Sequence, residues 1–520
     1  MVGVGAAGIA RWRGTLLSAV AIVSISSAAV ADELSDLKTQ SDQIHEQNQS
    51  LARKVAELEK RLSKFESRSP AASAVAAKAR PAPAAVNPNK GTSPPADDGS
   101  LTWHGITLYG AIDTGLTYQT HGTPLSNSAG FGLGYLIARN SNKSYFGVAP
   151  NALTSSTIGL KGSEELFGGL SGVFNLQTSF LPTSGRLSDG LGSVVQNNGR
   201  PLTAQTTFAD SSKDGQPLNT AAWAGLSSPT YGTLTYGRQN SLTLDAVAAY
   251  DPMGAAGAFS VIGFQGATAG GGDTENARID NSLKYTVKLG ALRAGAVAQL
   301  GTSGETPRNM VQGQLGFDYA GLSFDAVYGH VDDAVSAAPL AVGFVPTAAQ
   351  LAAAGQGLVA GTVSDNNSVM LLGRYGAGPL KLYAGYENIR FANPKTPLSL
   401  GQTIVGGYTL GTVSNTAFSN RKDLQVFWTG ARYAVKPGLD VMTAYYHEQQ
   451  NSFGAVSCSD SSQATCSGSL DAVSLLVDYR FAKRWDAYAG AMYSIASNGL
   501  ASGFLHRSTI DPTVGLRFQF

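Results

Sequence analysis

The sequence predicts an all-β fold, a transmembrane antiparallel up-and-down barrel of about sixteen strands, preceded by an α-helical coiled coil. The last segment, Thr513–Phe520, alternates apolar side chains with polar or small ones. A strand between lipid and water needs this pattern, because successive side chains point to opposite faces. Charged residues are only 14% of the chain, glycine numbers 62, and the mean hydropathy is -0.03. A barrel explains this combination, since half of each strand is apolar and turns need glycine.

The first 31 residues have the pattern of a cleaved signal peptide. Arg11 and Arg13 form a basic n-region, residues 14–28 are apolar or small, and Ala29-Val30-Ala31 fits a small-x-small cleavage site. Cleavage after Ala31 predicts an exported chain. The alternative, a retained membrane helix, is less consistent with an apolar run that is short and contains serines. Together with the terminal aromatic Phe520, this predicts a location in the bacterial outer membrane.

Residues 32–68 carry a heptad pattern that predicts a periplasmic coiled coil of roughly 50 Å, at 1.5 Å per residue. Such a seam needs partner helices to bury it, so the pattern predicts an oligomer without separating a dimer from a trimer. A single amphipathic helix lying on the barrel or on peptidoglycan is the alternative. The two core positions are Leu34, Ser41, Asn48, Val55 and Leu62, and Leu37, Ile44, Leu51, Leu58 and Phe65.

Residues 69–104 form an Ala/Pro-rich linker, as in Ala79-Arg80-Pro81-Ala82-Pro83. The stretch has too few large apolar residues to order itself, so we expect an extended, partly polyproline segment. It would let the helical segment extend away from the membrane, where binding to peptidoglycan is a further possibility.

Residues 105–520 contain the strand candidates of the barrel, joined by alternately short and long connections. Parity in one of them places Ile279, Leu283, Tyr285 and Val287 on one face, and Arg278, Asp280, Ser282, Lys284 and Thr286 on the other. The polar face is predicted to line the lumen, with Arg278, Asp280 and Lys284 as candidates. The short turns are predicted near 163–169, 228–232, 289–291, 320–321, 376–379, 436–438 and 482–484.

Several stretches resemble one family, the trimeric general-diffusion porins of Gram-negative bacteria, and in particular its beta-proteobacterial branch. They are spread in family order from residue 105 to the C-terminus. The first strand reads Ile-Thr-Leu-Tyr-Gly-Ala-Ile-Asp-Thr-Gly-Leu (106–116), the first hairpin Ile-Gly-Leu-Lys-Gly-Ser-Glu-Glu-Leu (158–166), and the fifth strand Tyr-Gly-Thr-Leu-Thr-Tyr-Gly-Arg-Gln (231–239). The resemblance implies a homotrimer in outer-membrane lipid that passes small hydrophilic solutes and ions.

The resemblance also implies a pore narrowed by the third long loop, folded inward opposite basic residues of the wall. Here that loop would run from Ser241 to about Glu275. Lys161 and Arg238 match wall cations by motif position, and Asp245 and Asp251 lie where the family's loop carries acids. Opposed charges across such a constriction orient polar solutes and filter them by charge.

Two departures from the family pattern weaken that expectation. The chain reads Thr157-Ile158-Gly159 where relatives carry an arginine, so one wall cation is missing. The middle of the third loop, residues 252–259, is apolar and small. We therefore expect a constriction with less charge than in common porins.

Cys458 and Cys466, the only cysteines, lie between two strand candidates, and we expect a disulfide because the compartment is oxidising. The chain carries no nucleophile signature, metal-ligand spacing or phosphate-binding glycine motif, so we predict no enzyme activity, no metal and no cofactor. His447 beside Glu448 is the least poor catalytic candidate. The near-neutral charge argues against nucleic acid as a partner. A structural anchor that tethers the membrane to the cell wall, or a substrate-selective channel, are the alternative functions.

Overall fold

The computed structural model describes the chain in two compact units, residues 1–82 and 83–520. In the first unit it describes scattered residues between Lys38 and Lys60. In the second it describes residues 101–129, 132–209, 215–262, 277–300, 310–455, 458 and 463–520. The predicted signal peptide and most of the predicted linker lie outside the described residues. None of the described helices is long and apolar enough to cross a membrane.

In the first unit, the described residues are helical and exposed, among them Lys38, Asp42, Glu46, Arg53 and Lys60. These residues lie between the positions of the predicted seam. The seam positions themselves lie outside the described residues. The helix agrees with the sequence, and its assembly into a coiled coil stays a prediction.

The second unit is one antiparallel barrel, and the prediction of about sixteen strands is confirmed. Nineteen strands in the described part of the chain are hydrogen-bonded in one sheet. Two of them, Leu101–Trp103 and Tyr408–Ser414, are short additions. Lys143–Pro150 and Ser156–Phe167 pair with the two halves of Ile106–Gly122 as one interrupted strand, which leaves sixteen positions around the wall. The strands are β1 (Leu101–Trp103), β2 (Ile106–Gly122), β3 (Lys143–Pro150), β4 (Ser156–Phe167), β5 (Leu170–Phe180), β6 (Ala221–Ser228), β7 (Gly232–Asn240), β8 (Arg278–Leu289), β9 (Leu292–Gln299), β10 (Met310–Tyr319), β11 (Leu322–Ala338), β12 (Gly357–Ala377), β13 (Leu380–Ala392), β14 (Tyr408–Ser414), β15 (Lys422–Lys436), β16 (Leu439–Gln450), β17 (Gly468–Ala482), β18 (Trp485–Asn498) and β19 (Ser508–Gln519).

The barrel closes between its last and first long strands. β19 pairs antiparallel with β2 from Thr513↔Thr117 to Gln519↔Ala111. The terminal Phe520 exchanges two backbone hydrogen bonds with Gly110, at 3.0 and 3.1 Å. Closure leaves the wall without an unpaired edge, which a lipid environment does not tolerate.

All seven predicted short turns join neighbouring strands at one end of the barrel. The long connections lie at the other end and contain the described helices. These are the α-helices Gly190–Gln196, Leu242–Tyr250 and Ala348–Ala353, and the 3-10 turns Gly132–Tyr135, Leu202–Ala204, Val405–Gly407 and Gly499–Ala501. The short-turn end is the one that holds Phe520.

Large apolar side chains cover the outside of the wall, for example Leu116, Tyr118, Leu283 and Tyr285, each 40% exposed or more. They alternate with side chains that point inward. The parity predicted for β8 fails at one point, Asn281, which has a φ of 50° and lies where the register with β7 shifts. The extra residue of such a bulge exchanges the two faces. Ile279 is therefore buried inside the barrel, not on the outer face with Leu283.

Part of the barrel interior is apolar. The inward side chains of β12 to β18 include Met370, Leu372, Trp428, Tyr446 and Met492, each at most 3% exposed. They form one cluster with the apolar residues of the third long loop. The prediction of a polar inner face holds only for part of the wall. Consecutive apolar residues, as in Leu475-Leu476-Val477, are the sequence signal of strands apolar on both faces.

Candidate functional site

The third long loop begins with a helix that folds against the inner wall. Ser241 caps the helix Leu242–Tyr250, since its hydroxyl oxygen accepts a hydrogen bond from the Leu244 amide at 3.0 Å. The Ser241 amide donates to the Ala277 carbonyl at 3.0 Å, which closes the base of the loop. The Leu242 amide donates to the Gln312 side chain at 2.7 Å. The inward-folded loop is described as far as Ile262, and residues 263–276 lie outside the description.

Tyr250, at the end of this helix, fastens the loop to two sides of the wall. Its hydroxyl lies 2.8 Å from the Ser323 hydroxyl and accepts a hydrogen bond from Arg293 at 2.5 Å. Its carbonyl accepts from the Trp428 indole N–H at 3.2 Å. The Arg374 guanidinium donates to the preceding Ala249 carbonyl at 3.3 Å. Strands from β9 to β15 therefore hold one turn of helix.

Asp251, predicted to face the constriction, is a buried anchor of the loop. Its side chain is 3% exposed, and its two carboxylate oxygens accept hydrogen bonds from the Tyr446 hydroxyl at 2.7 Å and the Ala255 amide at 2.8 Å. Burial raises the pKa of Asp251, and the Tyr446 hydrogen bond opposes that rise. The carboxylate is thus bound within the protein, so we do not assign it to the wall of the channel.

The apolar end of the described loop crosses to the far side of the barrel. The Phe259 ring is fully buried and packs edge-on against Tyr488 of β18, with ring centroids 6.2 Å apart. The Ala258 amide donates to the Ala152 carbonyl, between β3 and β4, at 2.8 Å. Gly490 permits this approach, because a Cβ there would lie 2.7 Å from the Phe259 ring.

Lys161 lies on the inner face of β4, exposed and near the short-turn end. It pairs in register with Thr107, and its ammonium lies 4.8 Å from the centre of the Tyr109 ring. The Tyr109 hydroxyl in turn donates to Asn175 at 2.5 Å. Lys161 thus lies on the inner face of the wall. Its place at a constriction stays a prediction.

Arg238 does not line the constriction, which corrects the prediction. It lies on the strand face of the exposed Tyr236, whereas Thr235 and Gln239 face inward. Its guanidinium, 7% exposed, donates to Asp280 at 2.6 Å and twice to the Asn219 carbonyl, at 2.9 and 2.8 Å. The family motif indicated the correct strand for Arg238. It does not show on which face of that strand the side chain lies.

Asp280 and Arg278 have the same strand parity as Arg238, on the face away from Lys284. The reason is the bulge at Asn281, which exchanges the two faces of β8. Asp280 also accepts from Gln216 at 3.3 Å, and Arg278 pairs in register with Asn240 at the end of β7. The prediction that Asp280 faces the lumen beside Lys284 is therefore wrong, and Arg278 shares its parity. Both residues lie beyond the bulge, where a period of two no longer applies.

Lys284 and Asp245 meet as one ion pair between wall and loop. Lys284 lies on the inner face of β8, and its ammonium binds the Asp245 carboxylate and the Asn240 carbonyl, the latter at 3.0 Å. Asn240 also donates to Asp245 at 3.0 Å. Lys284 faces inward as predicted. The pair neutralises the loop acid and attaches the start of the loop helix to β8.

A basic group of three residues, Arg374, Lys381 and Arg432, lies on the inner wall below the loop. Each precedes a large residue that points outward, namely Tyr375, Leu382 and Tyr433. Lys381 of β13 is directly opposite Arg432 of β15 in register, and Lys381 is exposed. Arg432 lies 3.8 Å from Asp440. None of the three was among the site residues predicted from the sequence, although all three lie in the same basic-apolar alternation.

Neighbouring strands hold their charges in compact pairs. Arg480 and Arg517 both bind Asp486, at 2.9 and 2.8 Å, and Arg517 lies 3.8 Å from Asp478. Because Asp486 is 1% exposed and Arg517 is 4% exposed, these charges stabilise the wall and offer little surface to a solute. The basic group is more open than these pairs.

The predicted disulfide is present in the structure. Cys458 and Cys466 are joined, with Cα atoms 5.6 Å apart, in the loop between β16 and β17. No group of three or more potential metal-ligating side chains occurs within the described part of the chain. His447 and Glu448 point to opposite faces of β16, since Glu448 is buried and His447 pairs with Asp471 at 2.7 Å.

Comparison with known proteins identifies the family. A model described as Gram-negative porin matches residues 71–499. An outer membrane porin of Bordetella pertussis is 31% identical over 186 residues, which is 35% of this chain and only 38% of that protein. An anion-selective porin from Comamonas acidovorans has a TM-score of 0.49 and 18% identity over 80% of this chain and 99% of its own. OmpT of Vibrio cholerae has a TM-score of 0.48 and 14% identity over 81% of this chain and all of its own. The match over most of its length shows that this chain belongs to the Gram-negative porin family of outer-membrane proteins.

Proposed function

We propose that each barrel is a water-filled channel through which small hydrophilic solutes and ions diffuse passively across the outer membrane. The observation that carries this proposal is the third long loop folded inward within a closed barrel. Its apolar half, from Tyr250 to Phe259, is packed against β11 to β18. The open path then lies beside the loop, along wall positions such as Lys161 and Lys381.

The charge that a permeating ion meets is set by the basic group and not by Arg238. Arg374, Lys381 and Arg432 face the lumen from three neighbouring strands, whereas Asp245 and Asp251 are occupied by partners within the protein. Fixed positive charge on one wall of a narrow aqueous path favours anions. We therefore infer a weak anion preference.

Bilayer conductance with a salt gradient tests the proposal. The purified protein should form ohmic channels, and Lys381→Ala should shift the reversal potential towards cation permeation. The effect should be largest at 0.01 M salt, where the screening length is about 30 Å. Lys436→Ala is the matched control, since Lys436 is on the same barrel end but lies over the outward Tyr479 ring, 5.4 Å away. A wild-type protein without conductance refutes channel function. Equal reversal potentials for the two variants refute the role of the basic group and leave the channel function intact.

We also propose that the protein assembles as a homotrimer, a property that family membership supports. The helical residues between Lys38 and Lys60 provide a second site of association if the heptad seam is buried between protomers. Native mass measurement in mild detergent tests this. A trimer that persists after deletion of residues 32–68 would assign assembly to the barrel, and a monomeric full-length protein would contradict the proposal.

A structural role near the cell wall is a second candidate, favoured by the exposed N-terminal helix. Its charged residues would be on the periplasmic side, where peptidoglycan is a possible partner. Co-sedimentation of the purified protein with peptidoglycan, with and without residues 32–68, tests this role. Equal sedimentation of both forms would contradict tethering through the helix, and would leave the channel proposal intact.

A further inference from the structure

One part of the wall leaves the barrel at its long-loop end. β11 and β12 continue as a hairpin towards the long-loop end. Within the described residues, pairing of β11 with β10 reaches Val331↔Met310, and pairing of β12 with β13 ends at Asp365↔Ala392. The hairpin begins at a register shift after Val331, where Asp333 has a φ of 52°. Beyond it, β12 pairs in parallel with β14 instead. We call residues 334–338, 357–364 and 408–414 the arm.

The tip of the arm contacts the second long loop on the far side of the barrel. At residue 188 this loop is still beside its own strand, since the Ser188 amide donates to the Ser179 carbonyl of β5 at 2.9 Å. The next residue, Asp189, accepts a hydrogen bond from the Tyr408 hydroxyl of the arm at 2.5 Å. Tyr408 pairs with Gly357, the first residue of β12.

This contact requires the arm to span the mouth of the barrel. β5 and β12 are seven positions apart around a wall of sixteen, so they are nearly opposite one another. Eight residues of strand from Asp365 to Gly357 extend about 26 Å. A sixteen-strand barrel with tilted strands is roughly 30 Å across. The length of the arm thus matches the distance that it has to cross.

An apolar cluster fixes the arm to the second loop. Leu191 and Val194, on the helix Gly190–Gln196, are at most 1% exposed. They pack with residues of the arm and of the adjoining loop, namely Val335, Ala337, Val359, Val363, Leu398, Ile404, Tyr408 and Leu410. Burial of apolar side chains favours the packed state, so the cluster makes a stable closure and not a transient contact.

Hydrogen bonds hold both ends of this closure. Asn198 donates to the Leu358 carbonyl at 2.7 Å and accepts from the Leu340 amide at 2.8 Å. On the other side, the Asp189 amide donates to the Ser128 carbonyl of the first long loop at 2.8 Å. Three long connections are thereby joined over the lumen.

We propose that the arm and the second loop form an outer size filter, in series with the inward-folded third loop. The proposal rests on the channel function proposed above. A solute that approaches from the long-loop end has to pass beside the bridge before it reaches the third loop, and the divided mouth admits a smaller cross-section than an open one. Small solutes pass on either side, whereas larger ones are excluded here first.

Swelling of proteoliposomes in uncharged sugars tests the filter. Val194→Asp puts a charge into the apolar cluster and should separate the arm from the second loop, because an unpaired buried charge is strongly unfavourable. The ratio of tetrasaccharide to monosaccharide uptake should then rise roughly threefold or more, since pore width sets this ratio. Val345→Asp is the matched control, a Val that is 81% exposed in the loop between β11 and β12. Its ratio should equal that of the wild type.

The outcomes separate the two proposals. An unchanged ratio in folded Val194→Asp protein, with a barrel that still unfolds only on heating in detergent, overturns the filter and leaves the channel. Wild-type vesicles that do not swell even in monosaccharide overturn the channel and the filter together. If Val194→Asp does not fold, Leu191→Ala combined with Tyr408→Phe replaces it, and an unchanged ratio in that variant overturns the filter equally.

Discussion

At the scale of single residues, charge in this barrel is mostly bound in pairs, and position within the wall decides what each pair does. Arg238 and Asp280 are a partly buried pair outside the lumen, whereas Lys284 and Asp245 join the wall to a loop. Substitutions at these residues should therefore affect stability and permeation separately.

Arg238→Ala should destabilise the barrel without changing ion selectivity. The substitution leaves the Asp280 carboxylate and the Asn219 carbonyl with fewer donors, which costs roughly 1–3 kcal/mol. The reversal potential should stay that of the wild type, because the guanidinium does not face the permeation path. Thermal unfolding in detergent and conductance in a salt gradient measure the two effects. A clear shift in the reversal potential would contradict this expectation and would indicate that Arg238 lines the constriction.

Asp251 should make the stability of the third loop depend on pH. Burial raises its folded pKa above the unfolded value of about 3.9, so the protonated form is favoured in the folded protein. Its contribution to stability is therefore fully present below that unfolded value and is lost as the pH rises through the folded pKa. The unfolding temperature of the wild type should fall relative to Asp251→Asn over this range. Parallel pH curves for the two proteins would contradict the assignment.

At the scale of elements, the third loop is held by packing as much as by hydrogen bonds. Its helix is attached at Tyr250 and Asp251, and its apolar end at Phe259. The apolar stretch that departs from the family pattern is the part that fits the apolar inner face of β12 to β18. A loop fixed in this way is a rigid obstacle in the lumen.

Phe259→Ala should loosen that obstacle. Removing a fully buried Phe side chain costs about 3–5 kcal/mol, and here the loss falls on the contact between loop and wall. We expect larger current noise in the open channel and a wider spread of conductance, with the barrel still closed. Phe146→Ala, at an outward position 68% exposed, is the control. Equal noise in both variants would show that the loop does not depend on this contact.

The disulfide joins two residues of one loop, the connection between β16 and β17. The bond between Cys458 and Cys466 closes a short loop, which stabilises it by about 2.5 kcal/mol in the chain-entropy estimate. The double variant Cys458→Ser/Cys466→Ser should keep the conductance of the wild type and become more sensitive to protease within this loop. A large loss of barrel stability would show that the loop supports more than itself.

At the scale of the whole molecule, the barrel is closed at its wall and partly filled inside. The third loop occupies one side of the lumen, and the bridge between the arm and the second loop crosses its mouth. The permeation path is therefore set by loops that contact strands far from their own. A barrel of this size without such loops would be a wide aqueous pore.

Local patterns in the sequence predicted the class of fold, a barrel of about sixteen strands, all seven short turns and the disulfide partners. These features follow from local rules, namely a period of two along each strand, turn residues between strands, and an even number of strands that closes the wall. Lys161, suggested by the resemblance in the motifs, and Lys284, suggested by strand parity, both lie on inner faces of the wall.

Which residues meet across the lumen is visible only in the folded barrel. The bulge at Asn281 moved Ile279 inside and Asp280 away from Lys284, because one inserted residue exchanges the faces of a strand. Asp251 proved to be an anchor because Tyr446, almost two hundred positions later in the sequence, donates to it. The contact of Tyr408 with Asp189 depends on the bend and length of a hairpin seven strands away. Such contacts follow from how the wall closes and where its loops fold, and no local pattern in the sequence records them.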